Sequence, residues 1–419
     1  MGSEENTTNS EVYENQSRLK VTPPESRFYR WVLQKLISAA GDPPVRIRLW
    51  NGTVVCAPNH RYTINILSKS AFYKLLVHPD LYFGECYMSG ELTVEGNLVS
   101  FLEDLYLHRA LAQQRGGGLQ RKLISKILTP VRKNTLEGSK KNIYSHYDIG
   151  NEFYQLWLDT EAMQYTCAYF PTESATLEQA QRAKLDHVCK KLRIGPNDTV
   201  VEAGCGWGGL ARHIAKYYGA RVHAYNISHE QIKFARQRAK EQGVDHLVKY
   251  VEDDYRNIKG RYDVFVSVGM LEHVGIDNFG ALNKVITGAL TPNGRGLIHS
   301  IGRNVPGQMN TWIQKRIFPG AQTPSLKQMM DIFENGFSVL DVENLRLHYA
   351  ETLRHWLQRF EANLDQIKPM FDESFIRAWR LYLSGSIAAF SSGQLQLFQV
   401  VFARNRDNTI PLTRDHIYR

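Results

Sequence analysis

The amino-acid sequence predicts an α/β protein: a doubly wound, Rossmann-like sheet with a helical insertion, preceded by a small α+β domain. Three observations indicate this fold. Short apolar strand candidates alternate with helical stretches from about residue 185 onward, which is typical of a parallel sheet. A glycine-rich turn follows the first of these strands. Upstream, mixed strand and helix patterns surround an Asn51-Gly52 hairpin signal.

The amino-terminal half divides into three predicted segments. Residues 1–27 are polar and are predicted to be a disordered tail, without the basic start and apolar middle of a secretory signal. Residues 28–109 form the small α+β domain, interpreted as associated with lipid or membrane. Residues 110–141 form a basic linker, with eight Lys or Arg against one Glu. A solvated linker and a strip that contacts anionic headgroups are both compatible with that charge.

Residues 142–419 are predicted to form the catalytic domain, with a helical lid at 351–390. Its last two strands flank this lid. The strand candidates are TVVEAG, RVHAYN, VKYVED, VFVSVG, GLIHSI, FSVLDVENL and LQLFQVVFA.

Composition restricts the class of protein. The 419 residues are 43% apolar and carry a formal net charge of +9, which suits nucleic acid, an anionic membrane face, an acidic ligand or simply a basic enzyme. No segment approaches the roughly 18 to 20 apolar residues of a membrane span. Five cysteines without CxxC spacing predict neither a disulfide framework nor a metal site, and they fit a reducing cytoplasm.

The glycine-rich turn reads VVEAGCGWGGL over residues 200–210. Gly204, Gly206 and Gly208 allow a sharp turn and a close approach to a ligand at the start of a helix. The spacing also satisfies GxGxxG, the dinucleotide fingerprint. Glu202 favours S-adenosylmethionine (SAM), because a carboxylate there faces the cationic amino acid portion. Asn226 ends the next strand, where an NAD enzyme usually has an acid.

Other polar residues follow the later strands. Asp254 is positioned to accept the adenine amino group and Tyr255 to stack on the ring, although an ordinary acidic loop is equally compatible. Glu272, His299 and Tyr349 each follow a strand. Ligands bind beyond the carboxyl ends of strands in open α/β sheets, so these three are expected to converge beside the turn.

Long segments of the sequence resemble the signatures of cyclopropane fatty acid synthases. They run in order from about residue 143 to 404, and the upstream segment YFGECYMSGELTVEGNLVSFLEDL resembles the amino-terminal domain of the phospholipid-modifying members. The matching segments are NIYSHYDIGNEFYQLWLD, MQYTCAYF, VVEAGCGWGG, SVGMLEHVG, IHSIG and LQLFQVVFAR.

The resemblance implies roles for individual residues. Tyr165 and Thr166 would contact SAM, together with the glycine turn and the segment from Asn226 to Gln231, and Tyr255 would stack on adenine. Asn226 departs from the family's commoner Thr. A bicarbonate ion would be held by Cys167, Glu272, His299, the backbone of Ile301, and Tyr349.

Ser386 is the clearest departure from the family pattern. It stands where the family has a cysteine in the helix before the last strand, which puts in doubt a role for a thiol there. The helical lid, with Trp356, Phe360, Phe371, Trp379 and Phe390, would line an apolar acyl pocket, or would simply form core.

The resemblance implies SAM-dependent one-carbon transfer to the double bond of an unsaturated phospholipid acyl chain. The product would be a cyclopropane fatty acid, formed through a carbocation that bicarbonate deprotonates. Mid-chain methyl or methylene branching of fatty acids is the nearest alternative, followed by small-amine N-methylation. The expected setting is the cytoplasmic face of a membrane, without nucleic acid and with pairing of two copies left open.

Overall fold

The computed structural model describes residues 24–114 and 149–418. Most of the predicted tail and of the basic linker therefore lie outside the described residues. Two helices extend beyond the predicted boundaries of the tail and the linker, and the helices of the predicted lid run from Arg346 to Ser391. Helix α1 begins at Pro24, inside the segment assigned to the tail, and α4 continues to Gln114, inside the segment assigned to the linker.

The amino-terminal domain is a four-stranded sheet packed with helices. Its strands have the order β2-β1-β3-β4, and the predicted hairpin is confirmed, because β1 and β2 pair antiparallel around Gly52, whose φ is 79°. The elements are α1 (Pro24–Ala39), β1 (Val45–Leu49), β2 (Val54–Cys56), β3 (Tyr62–Ile66), α2 (Lys69–Val77), α3 (Pro79–Ser89), β4 (Leu92–Glu95) and α4 (Leu98–Gln114).

The carboxy-terminal domain contains a seven-stranded sheet. All seven predicted strands are confirmed, in the order β10-β11-β9-β8-β5-β6-β7. The predicted doubly wound, Rossmann-like fold is confirmed, and β11 is the strand that departs from the parallel arrangement, because it pairs antiparallel with both of its neighbours. The strands are β5 (Thr199–Ala203), β6 (Arg221–Asn226), β7 (Val248–Glu252), β8 (Tyr262–Val268), β9 (Leu290–Gly302), β10 (Phe337–Asn344) and β11 (Gln396–Arg404).

Helices surround this sheet. The helix after the glycine turn continues as a π-helical segment, Ile214–Tyr218, and ends where predicted, at Gly219. The φ of Gly219, 67°, is the left-handed conformation that glycine adopts without a steric penalty. The α-helices are α5 (Asn151–Gln155), α6 (Leu177–Lys191), α7 (Gly209–His213), α8 (His229–Glu241), α9 (Leu271–Val274), α10 (Phe279–Ala289), α11 (Thr311–Arg316), α12 (Leu326–Met330), α13 (Arg346–Ala362), α14 (Leu364–Ile367), α15 (Glu373–Ser391) and α16 (Asp415–Tyr418).

The two domains share one cluster of buried apolar side chains. Trp312 of α11 packs directly on Gly84 of α3, where an added Cβ would lie 2.3 Å from the indole ring. An ion pair between Arg316 and Glu85, at 2.6 Å, borders this contact. Among the described residues, no helix is both long and apolar enough to cross a membrane.

The contact between Gly84 and Trp312 predicts that Gly84→Ala destabilises the protein. A methyl group at this position must displace a buried indole, and overpacking of this kind costs about 1–3 kcal/mol. Urea unfolding measures the loss. Gly288→Ala is the matched control, since Gly288 is also in a helix but has nothing within 4 Å of an added Cβ. Equal stability of the two variants would contradict the proposed packing.

Candidate active site

A cleft lies at the carboxyl ends of β5, β6 and β7, with an empty volume of about 1010 Å³ that includes the open solvent at its mouth. We call it the cofactor cleft. Nine of the ten residues predicted to bind the cofactor line it. They are Tyr165, Thr166, Glu202, Gly204, Gly206, Asn226, Gln231, Asp254 and Tyr255.

The glycine turn forms the floor of this cleft. Gly204 has a φ of 83°, and its N–H donates to the Tyr225 carbonyl at 2.9 Å. An added Cβ on Gly204 would lie 2.9 Å from Met270. Gly208 does not line the cleft: it packs behind the turn, where the Tyr250 hydroxyl donates to its carbonyl at 3.0 Å. Gly208 therefore supports the turn from behind.

Glu202 places a buried carboxyl group at this floor. The residue is 2% exposed, and Oε2 has no hydrogen-bond partner among the described residues. Burial raises the pKa of Glu202 to about 7, although Lys184 and Arg212 act in the opposite direction. A cationic ligand group beside Glu202 would restore the charged form, because an opposite charge lowers a carboxyl pKa.

Asn226 and Gln231 connect the turn to the next helix. Asn226 Nδ2 donates to the Gly206 carbonyl at 3.2 Å and to Gln231 Oε1 at 2.8 Å. Gln231 Nε2 is buried without a partner among the described residues. Asn226 thus orients the Gln231 amide, whose N–H₂ is available to a ligand.

The acidic segment after β7 closes another side of the cleft. Arg256 binds both carboxylate oxygens of Asp254, at 2.7 and 2.9 Å, and its guanidinium lies 5.4 Å from the centre of the Tyr255 ring. In this structure, both carboxylate oxygens of Asp254 therefore bind Arg256. The Tyr255 ring is 9% exposed, so this aromatic face is nearly shielded from solvent.

Tyr165 and Thr166 are held from beneath by buried polar groups. The hydroxyls of Tyr165 and Tyr382 are 2.9 Å apart, and Lys184 Nζ donates to Thr166 Oγ1 at 3.0 Å and also to Gln164. Burial lowers the pKa of Lys184 to about 8. Lys184 was not predicted from the sequence, because a lysine on a helix is ordinarily exposed.

The predicted catalytic residues lie in a second group, at the carboxyl end of β9. Glu272 Oε1 accepts the Ile301 N–H at 2.6 Å, while Glu272 Oε2 is buried without a partner among the described residues. Burial raises the pKa of Glu272 to about 7. The backbone donor of Ile301, which the resemblance assigns to bicarbonate, is therefore directed at Glu272 in this structure.

His299 is 1% exposed, and one of its ring nitrogens is also a buried polar atom without a partner among the described residues. Gln399 Nε2 and His299 Nδ1 are 3.1 Å apart, whereas His299 Nε2 is buried with no partner in the described part of the chain. Burial, with Lys184 and Lys191 nearby, holds the pKa of His299 well below its usual range. The ring is therefore neutral near pH 7.

A series of backbone hydrogen bonds links Tyr349 to this end of β9, and the Cys167 thiol lies beside that series. Leu397 pairs with Ile301, and its carbonyl accepts the Leu345 N–H at 2.8 Å. The Leu345 carbonyl accepts the Tyr349 N–H at 3.1 Å and faces Cys167 Sγ at 3.8 Å. We call Glu272, His299, Ile301, Tyr349 and Cys167 the polar cluster. Burial raises the pKa of the Cys167 thiol, so it stays protonated.

Aromatic side chains join the cofactor cleft to the polar cluster. The Trp356 ring lies 5.3 Å from that of Tyr165 and 6.0 Å from that of Tyr349, between ring centres. Phe390 lies 4.6 Å from Tyr349. The remaining predicted lid aromatics, Phe360, Phe371 and Trp379, pack on Phe153 instead. These three therefore form core.

Ser386 is half-buried on α15. Tyr382, which contacts Tyr165, and Phe390, which contacts Tyr349, lie one helical turn before and after it. Residues four apart share a helix face, so Ser386 lies on the face of α15 directed at the site.

Among the described residues, no group of acids, histidines or cysteines is arranged to hold a metal ion.

Fold and cleft together define a SAM-dependent methyltransferase. A family model described as mycolic acid cyclopropane synthetase matches residues 134–400. A second model, described as a domain of unknown function, matches residues 32–114. The chain belongs to the mycolic acid cyclopropane synthetase family.

Curated relatives align over nearly the whole chain. A probable fatty acid methyltransferase of Pseudomonas putida is 36% identical, covering 90% of this chain and 96% of its own. The cyclopropane-fatty-acyl-phospholipid synthase of Escherichia coli strain K12 is 34% identical, covering 94% and 98%.

Solved structures align with 63% to 77% of the chain. Cyclopropane synthase MmaA2 of Mycobacterium tuberculosis aligns with a TM-score of 0.60 at 26% identity, over 66% of this chain and all of its own. Mycolic acid cyclopropane synthase CmaA1, complexed with SAH and CTAB, has the same TM-score at 28% identity, over 63% and 98%. Coclaurine N-methyltransferase, at 22% identity and a TM-score of 0.63 over 77% and 99%, shows the shared fold alone.

The buried carboxyl of Glu272 predicts a pH-dependent effect on stability. Its folded pKa of about 7 lies above the ordinary 4.5, so the folded state retains a proton that the unfolded chain releases. This group therefore lowers stability as pH rises from 4.5 to 7, by roughly 3 kcal/mol in total. We expect Glu272→Gln to be more stable than the wild type at pH 8 and to differ little at pH 4.5.

Urea unfolding at the two pH values measures this difference. Glu230→Gln is the control, since Glu230 is exposed on α8 and its substitution should change little at either pH. If the stability of Glu272→Gln relative to the wild type is the same at both pH values, the pKa of the buried Glu272 carboxyl is not raised.

Proposed function

We propose that this protein transfers a one-carbon unit from SAM to the double bond of an unsaturated phospholipid acyl chain and closes a cyclopropane ring. The observation that carries the proposal is the polar cluster, which adjoins an aromatic wall shared with the cofactor cleft. The Escherichia coli relative, which aligns over 94% of this chain, is named a cyclopropane-fatty-acyl-phospholipid synthase. CTAB, present in the CmaA1 structure, carries a long alkyl chain as an acyl substrate does.

The polar cluster fits a small anion such as bicarbonate. Glu272 Oε2 and His299 Nε2 are buried polar atoms without partners among the described residues, and leaving such atoms unpaired costs free energy. Glu272, with a pKa of about 7, retains a proton part of the time near neutral pH and can then donate it in a hydrogen bond. Bicarbonate held by Glu272, His299 and Tyr349 would supply a base for the proton that ring closure releases.

SAM, when bound, supplies an electrophilic methyl group. The chain's own residues would hold and shield it: Glu202 would face the cationic portion, the turn from Gly204 to Gly206 would approach the ligand, and Tyr255 would offer a ring to adenine. Trp356 and Phe390 contribute apolar surface beside the polar cluster. An apolar, closed compartment excludes the water that would trap a cationic substrate.

A second product is compatible with the same site. The Pseudomonas putida relative, at 36% identity, is named a probable fatty acid methyltransferase. Methyl branching and ring closure both begin with one-carbon transfer to an alkene, and they differ in the fate of the cation. Ser386, on the site-facing side of α15, is a candidate for influencing that fate.

One incubation distinguishes the products. The protein is mixed with SAM and liposomes of a monounsaturated phospholipid, and the fatty acids are identified by mass spectrometry. We expect a cyclopropane acid, 14 mass units heavier than the substrate by one CH₂ group and resistant to hydrogenation under conditions that reduce alkenes. A methyl-branched or methylene-branched chain would favour the alternative, and an unchanged chain would refute both.

We also propose that α1 contacts the membrane surface. Its buried side chains are Tyr29, Leu33 and Ile37, whereas Phe28 and Trp31 on the opposite side are 51% and 58% exposed. Arg27, Arg30 and Lys35 are exposed on the same helix. Exposed aromatic rings beside basic residues are suited to the interface of an anionic bilayer.

Trp31→Ser should therefore weaken binding to anionic phosphatidylglycerol vesicles by about tenfold. Burying the exposed half of the indole in the bilayer contributes on the order of 1–2 kcal/mol to the binding free energy. Vesicle sedimentation measures the change. Tyr217→Ser is the matched control, since Tyr217 is 59% exposed on the other domain. Equal losses in the two variants, or none in either, would place the membrane contact elsewhere.

A further inference from the structure

A row of buried side chains lies behind His299. Gln399 of β11 pairs directly with His299 of β9, and Lys191 ends helix α6 beside them. The exposed fractions of Lys191, Gln399 and His299 are 3%, 0% and 1%. Sequence analysis assigned no role to Lys191 or Gln399.

Lys191 determines how the Gln399 amide is oriented. An ammonium group only donates hydrogen bonds, so the oxygen of the amide must face it. Lys191 Nζ lies 2.8 Å from Gln399 Oε1 and 2.5 Å from Glu343 Oε2. Glu343 is held in turn by His187 Nε2, 2.7 Å away. With its oxygen fixed, the Gln399 amide directs its N–H₂ at His299 Nδ1, 3.1 Å away.

This donor determines which nitrogen of the His299 ring carries the proton. Nδ1 accepts a hydrogen bond from Gln399, so it needs its lone pair. A neutral imidazole has one N–H, which must then be at Nε2. The neutral state agrees with the low pKa that burial gives His299.

We propose that Lys191 and Gln399 are positioning residues that hold His299 as its Nε2–H tautomer, with a fixed hydrogen-bond donor directed into the polar cluster. His299 then donates to a bound anion, and it cannot act as the base from that nitrogen. The identity of the anion, bicarbonate, rests on the proposed function, whereas the tautomer does not.

The tautomer is measured directly by ¹⁵N NMR of histidine-labelled protein near pH 7.5. Protonated and unprotonated imidazole nitrogens differ widely in shift, and His299→Gln assigns the signals by their loss. We expect His299 to show a protonated Nε2 and an unprotonated Nδ1. The reverse pattern would overturn the inference.

Gln399→Glu provides the test by substitution. A carboxylate keeps the partner of Lys191 but accepts a hydrogen bond, so the proton should move to Nδ1 and the donor into the cluster is lost. We expect bicarbonate, titrated in the presence of SAH, to bind about tenfold more weakly or worse, with SAH affinity within about twofold. An unchanged ring pattern would overturn the inference. A changed ring pattern with unchanged bicarbonate affinity would support the tautomer and contradict the proposed anion.

Two further variants keep the test interpretable. Gln396→Glu makes the same change three residues earlier in β11, where the amide contacts Asn344 and Gly393, and should leave the ring pattern unchanged. Lys191→Met releases the Gln399 amide and should give a mixture of both tautomers if Gln399→Glu does not fold. A single Nε2–H form in Lys191→Met would contradict the role of Lys191.

The inference and the proposed function can fail separately. A protein that shows the expected ¹⁵N shifts of His299 but makes no cyclopropane acid would support the inference and refute the proposed function.

Discussion

The antiparallel pairing of β11 with β9 is the constraint on which the rest of the site depends. Its register places Gln399 opposite His299 and Leu397 opposite Ile301. The Leu397 carbonyl then holds Leu345, the residue before α13, and so positions Tyr349 one turn later. A shift of one residue would move every side chain of β11 to the other face, which would remove the partner of His299.

Several ionisable side chains are buried at the site, and their burial lowers the stability of the fold. The carboxyls of Glu202 and Glu272 have pKa values of about 7, and the Lys184 amine has a pKa of about 8, all because of burial. Such groups lower stability unless a ligand pairs with them. The aromatic core around Phe153 and Trp356 offsets this cost by burying large apolar surfaces. Buried ionisable groups of this kind are expected at a functional site when the surrounding fold is stable enough to tolerate them.

Much of this architecture was predictable from local patterns. Apolar runs identified all seven strands, because their period is a local property. The glycine turn, the strand ends and the family resemblance together identified nine of the residues that line the cofactor cleft. The direction of β11 was not predictable in this way, since it depends on how the chain returns from α15. Lys191, Gln399 and Lys184 were missed for the same reason: their roles arise from register and burial, which no short segment encodes. The placement of Glu272, His299 and Tyr349 followed from the rule that strand ends meet at one edge.

We propose above all that the polar cluster holds an anion beside the cofactor cleft. Calorimetric titration of bicarbonate into the protein with SAH bound tests it most directly. The account predicts saturable binding of one ion per chain, which Glu272→Gln and His299→Ala each weaken at least tenfold while SAH affinity changes by less than about threefold. Absence of saturable binding in the wild type, or equal affinity in all three proteins, would contradict it.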